Sequence, residues 1–141
     1  MLSKDCLNEL HQLWLPNVTS DGLNRLIELL EKGSPMLIHG SFTRAVPMGC
    51  LATHIAWNHP QTCQFTLDAG LNWLTRVAGL NPGTSLVIRE WDRAMHADFE
   101  IRADLLAELK HERQVRTENA AGNRAVPIAK ASCQADALVG G

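Results

Sequence analysis

Leu23, Leu26, Ile27 and Leu30 recur at i, i+3, i+4 and i+7, preceded by Ser20 and Asp21 and followed by Gly33 and Pro35. That spacing lines four side chains along one stripe of an α-helix, with Ser20 or Asp21 as cap and Gly33 as stop. A helix with one apolar stripe must bury it against another element. The same signal recurring along the chain therefore restricts the fold to helices packed on helices.

It does recur. Ser3 is a cap and Asp5 a first-turn acid for a helix carrying Cys6, Leu7, Leu10, Leu13 and Trp14, which Pro16 ends. Between Pro35 and Pro47 the pattern breaks, and PMLIHGSFTRAVP reads as a loop with a short extended piece. A third helix is expected from about Pro47 to Asn58, because the residue before Pro60 disfavours helical geometry. Thr66 then caps a fourth, with Leu67, Leu71, Leu74 and Ala78 as its inward face and Gly79 as its end. Asn81, Thr84 or Ser85 caps a fifth from Leu86 to about Ala94, with Val87 and Trp91 inward. The last runs from about Phe99 to Arg113 on Ile101, Leu105 and Leu109, with Leu106 and Phe99 beside them.

From about Thr117 the periodicity ends in an Ala/Gly-rich stretch without an apolar face. The expected organisation is an all-α, compact bundle of five or six short helices over residues 1–116, with a mobile C-terminal tail over 117–141.

With 45% hydrophobic and 20% charged residues, the chain has the composition of a globular protein. A net charge of −2 with interspersed signs supplies no basic face for nucleic acid. No apolar run approaches the roughly 18 residues of a membrane span. The opening MLSKDCLNELHQLWL interleaves charged and apolar residues, unlike a signal peptide. A cytoplasmic location follows as the expectation, and with it reduced thiols.

The chemically densest stretch is GCLATHIAWNHPQTC. Cys50, His54, His59 and Cys63 form C-x3-H-x4-H-x3-C, whose donors suit a tetrahedral zinc ion. The spacing is not that of the usual zinc knuckles. The alternative is that Cys50 packs as a small hydrophobe while His54, Trp57 and His59 trim the end of a helix. Cys50 beside His54 also resembles a thiol with its base, Cys50 lying in the first helical turn where the dipole favours a thiolate, but no oxyanion loop or third orienting residue accompanies them.

Glu90, Asp92, Asp98, Glu100 and Asp104 surround His96, interleaved with Arg89, Arg93 and Arg102, the pattern of a solvated face carrying ion pairs. Trp14, Trp57, Trp73 and Trp91 fall on four different helices. They close seams between helices or, at Trp73 and Trp57, stand as anchors for a partner. Trp73 lies off the leucine face of its helix, so that helix is either buried on two sides or presents Trp73 outward.

GCLATHI, followed by REWDRAMHADFEIRADLLAEL, is similar to a group of small bacterial helical proteins in which a Gly-Cys-rich, CxxGAL-like helix precedes a WND-like turn and a closing helix. Here Thr53 replaces a small residue and WDR stands for WND. The resemblance would cover roughly Leu23 to Leu109. It implies a compact helical domain and no activity.

The functional expectation is a non-catalytic module that binds a protein partner or a second copy of itself. The alternative is a metal- or small-ligand-binding protein using Cys50, His54, His59 and Cys63, with zinc as the only cofactor suggested.

Overall fold

The computed structural model describes residues 2–64, 66–94 and 99–123, and over these the chain is all-α with one short hairpin. α1 (Lys4–Glu9) begins where the Ser3 hydroxyl accepts the Cys6 N–H at 3.2 Å. It continues into a π-helical turn, Leu10–Trp14, and a 3-10 turn, Leu15–Asn17, that contains Pro16. α2 (Ser20–Lys32) is capped one residue earlier than expected, by the Thr19 hydroxyl on the Gly22 N–H. At its other end Gly33 takes φ +58°, while the Gly33 and Ser34 N–H groups reach the Leu30 and Leu29 carbonyls. This paired closure needs a left-handed residue, which is why glycine stands there.

The extended piece is an antiparallel hairpin, β1 (Thr43–Ala45) with β2 (Met48–Gly49), turning through a cis Val46–Pro47 bond. Gly49 also bonds on its other side, donating to the Met36 carbonyl and accepting from the Ile38 N–H, both at 3.0 Å. The backbone at Met48 and Gly49 is thus spent in a sheet, and the third helix starts at Leu51, not near Pro47. That helix, α3 (Leu51–Trp57), has all seven residues buried and is the centre of the fold.

α3 packs against α2 and against α4 (Ala69–Asn72), which continues into a π-helical turn, Trp73–Val77. The α4 approach is close. A methyl group on Gly70 would stand 2.9 Å from both the backbone nitrogen and the Cα of Thr53. Thr53 in turn donates its hydroxyl to the Phe42 carbonyl at 2.7 Å, joining α3 to the hairpin.

α5 (Leu86–Ala94) packs on α1, and α6 (Phe99–Asn123) on α2. Their buried Val87, Trp91, Ile101, Leu105 and Leu109 join Leu10, Trp14, Leu26, Leu51 and Ile55 in one core. Each such side chain contributes about 1.5–3 kcal/mol by leaving water.

α6 runs ten residues past Arg113, so the boundary expected at 116 falls inside a helix. Residues 117–123 are helical without an apolar face. Polar bonds hold the turns at and before them. The Arg116 guanidinium donates to Glu112 at 2.6 Å and to the Leu15 carbonyl at 2.8 Å, and Thr117 donates to the Arg113 carbonyl. The rest of the expected tail, 124–141, lies outside the described residues. Phe99, expected beside the core, is 77% exposed.

Candidate functional site

The four expected ligands are laid along α3 and the loop after it, each engaged separately. Cys50 is the N-cap residue of α3, buried, with Sγ 3.7 Å from the Thr53 hydroxyl. His54 is equally buried; its Nε2–H donates to the Met36 carbonyl at 2.8 Å, and its ring meets Trp57 edge-on at 5.3 Å. His59 uses Nδ1 to accept the Gln61 N–H at 3.1 Å. Cys63 stands in a disulfide, a correction to the expectation of reduced thiols throughout; Cys6 and Cys50 are free. Among the described residues no three His, Cys, Asp or Glu side chains gather as a metal ion requires. The structure does not bring Cys50, His54, His59 and Cys63 together.

Burial also decides the thiol chemistry. It pushes the Cys50 thiol up to about 11, outweighing its bonds to Thr53 and Ala52, and the charge of Asp92 adds to the rise. At neutral pH the group is a thiol and not a nucleophilic thiolate, so position at the start of α3 does not activate it. Cys6 is pushed up to about 12, first by burial and then by Glu90 and Glu9.

Cys50 does meet the second dense stretch. A pocket of about 70 Å³ is bounded by Ser41, Phe42, Cys50, Ile88 and Asp92. The Asp92 carboxylate accepts the Gly40 N–H at 2.8 Å, and so pins the loop before the hairpin to α5. Next to it, buried His39 stacks on Trp91 at 3.9 Å. His39 donates Nδ1–H to the Trp91 carbonyl at 2.8 Å and accepts from Arg102 at 3.3 Å through Nε2. The Arg102 guanidinium also lies over the Trp91 ring at 5.3 Å, and burial lowers its pKa. Asp92 and Arg102, expected on a solvated face, thus clasp the loop, whereas Arg93 and Glu90 form the expected surface pair at 3.6 Å. His96 and Asp98 lie outside the described residues.

Both tryptophans proposed as anchors are interior, a correction to the outward reading. Trp73 is 0% exposed, tilted against Trp14 at 5.2 Å, with its indole N–H on the Asn17 carbonyl at 3.3 Å. Trp57 is 6% exposed against His54. Leu67 lies in the turn before α4, outside the helix that was expected to begin at Thr66. Ala69, Gly70, Trp73 and Leu74 face inward, and the outward side carries Leu67, 61% exposed, and Leu71, 37% exposed.

The same corner holds an open cleft of about 280 Å³. Gln61 and Thr62 from the end of the dense stretch form one side; Thr66, Asn72 and Arg76 form the other, over Ala69 and Val77. Thr62 donates its hydroxyl to the Ala56 carbonyl at 2.9 Å, fixing the loop to the end of α3. No spacing signal marks these residues. Polar side chains in a loop look alike whether they face solvent or a cleft.

No protein-family model matches the chain, and no curated protein or solved structure matches it.

Proposed function

We propose that the chain is a non-catalytic protein-interaction module, docking a protein partner or a second copy through the α3–α4 corner. The observation that carries this reading is the outward pair Leu67 and Leu71, on a segment whose inward side is already filled by Trp73 and Leu74. A segment apolar on both sides has one side more than its own core needs, and apolar surface beside a polar cleft is the anatomy of a recognition patch. Two leucines and a cleft rim make a small patch, suited to a transient contact and not to an obligate dimer.

The interior chemistry supports the same reading: Cys50 is held as a thiol, His54 is locked on a backbone carbonyl, and His39 is packed on Trp91. No described helix is long and apolar enough to cross a membrane. The cytoplasmic location expected from the sequence carried reduced thiols with it, and the disulfide at Cys63 counts against that location.

A photo-crosslinking side chain in place of Leu67, compared with the same group at exposed Lys32, tests the reading in cells. A discrete adduct at 67 that is missing at 32 is expected, its mass telling a second copy from a different protein. No adduct at 67, or the same adduct from both positions, contradicts it.

A further inference from the structure

The cleft beside the leucine pair has a chemistry of its own. Arg76 is the one charged residue on its described wall, and among the described residues its guanidinium makes no ion pair or hydrogen bond. This differs from Arg25, Arg93 and Arg116, each set against a glutamate. Around Arg76 stand the carboxamides of Gln61, Gln64 and Asn72 and the hydroxyl of Thr66, none of them hydrogen-bonded through its side chain to a described residue. Ala69, which is buried, and half-buried Val77 give the cleft an apolar floor.

A guanidinium presents a planar fork matched to a carboxylate, and carboxamides offer both donors and acceptors to the groups next to it. A volume of about 280 Å³ suits a small ligand. With no acidic side chain on the described wall, an anion enters without like-charge repulsion.

We infer that this cleft binds a small aliphatic carboxylate flanked by a hydrogen-bonding amide or hydroxyl. The carboxylate sits on Arg76, the polar group on Gln61, Gln64 and Asn72, and the alkyl group on Val77 and Ala69. Such chemistry comes either from a free small acid or from the C-terminal residue of a peptide. The inference is independent of the leucine surface, so a Leu67→Ser/Leu71→Ser variant should bind the ligand as the wild type does.

The test uses N-acetyl-alanine as probe on isotope-labelled full-length protein, followed by amide chemical shifts. Saturable shifts are expected at the side-chain amides of Gln61, Gln64 and Asn72 and along residues 66–77, and N-acetyl-alanine amide should give none. Arg76→Gln should weaken binding at least tenfold, and Arg76→Lys should recover only part, since a point charge does not replace the fork. Arg76 is exposed, so both variants should keep the wild-type melting temperature. A pentapeptide ending in a free alanine carboxylate that binds more tightly than N-acetyl-alanine assigns the ligand to peptide ends; equal binding assigns it to free acids. Equal responses to acid and amide, no saturable shifts, or unchanged binding in Arg76→Gln would overturn the inference.

Discussion

The Ser85 hydroxyl donates a 2.6 Å hydrogen bond to the carboxylate of Glu9, across 76 positions of sequence. The same carboxylate accepts the Trp14 indole N–H at 2.9 Å and the backbone N–H groups of Leu86 and Val87 at 2.8 and 3.1 Å. One acid on α1 therefore satisfies the free donors at the start of α5, where a negative charge also complements the helix dipole.

Glu9→Gln should accordingly destabilise the fold by about 2–3 kcal/mol, since it removes the charge and sets an amide N–H against a backbone N–H. Urea denaturation followed by circular dichroism checks this; a change below about 0.5 kcal/mol, within the usual range for a surface substitution, would contradict it.

Gly70→Ala should destabilise by about 2–3 kcal/mol, because the added methyl meets the Thr53 hydroxyl oxygen and, at 2.9 Å, the Thr53 backbone, which cannot swing aside. Gly49→Ala should behave similarly, its methyl lying 2.6 Å from Thr53 Cγ2. Gly79, at φ +70° with open space around it, should lose stability through backbone strain alone, without any packing change. Comparing the three by denaturation separates packing from conformation.

The helical stripes on α1, α2 and α5 were legible because their apolar spacing coincides with caps and stops at Ser3, Gly33 and Ser85. Ser85 does cap α5, accepting the Ile88 N–H at 3.3 Å. The hairpin was only half legible, since strands of three and two residues around Pro47 leave no alternation to read. On the fourth helix half of the expected inward face holds, since Leu74 and Ala78 are buried while Leu67 and Leu71 are exposed. Gly70 and Thr53 fix which side touches α3, and the helix begins only at Ala69, so Leu67 falls in the turn before it. Cys50 meets Asp92, and Arg102 meets His39, across more than forty positions of sequence, so local density suggested chemistry that tertiary packing had already used.

Cys6 and Cys50 should resist alkylation in the folded protein at pH 8 and react fully once it is unfolded, because burial both shields them and pushes their thiols to about 12 and about 11. Mass spectrometry after iodoacetamide treatment reads this directly. Rapid native labelling of Cys50 would contradict its place in the core.

Stability should fall as pH drops below about 6.5. Burial holds His54 and His59 below the ordinary imidazole value, so the unfolded chain takes up their protons first. Their contribution is complete above 6.5 and is lost through that value toward the lower folded-state ones. Glu28 and Glu31, held below the carboxylate value of 4.5 first by hydrogen bonds from Arg25 and Lys110 respectively, add losses only in more acidic solution. Denaturation midpoints between about pH 8 and pH 5 check the window, and His54→Gln should flatten the slope.

The central claim is that this protein works through the outward leucines of the α3–α4 corner. Hydroxyl-radical footprinting, in native cells and on dilute purified protein, tests it most directly. Leu67 and Leu71 should be labelled in isolation and protected in cells, while Phe99 is labelled in both. Leucines labelled equally in the two settings would contradict the account.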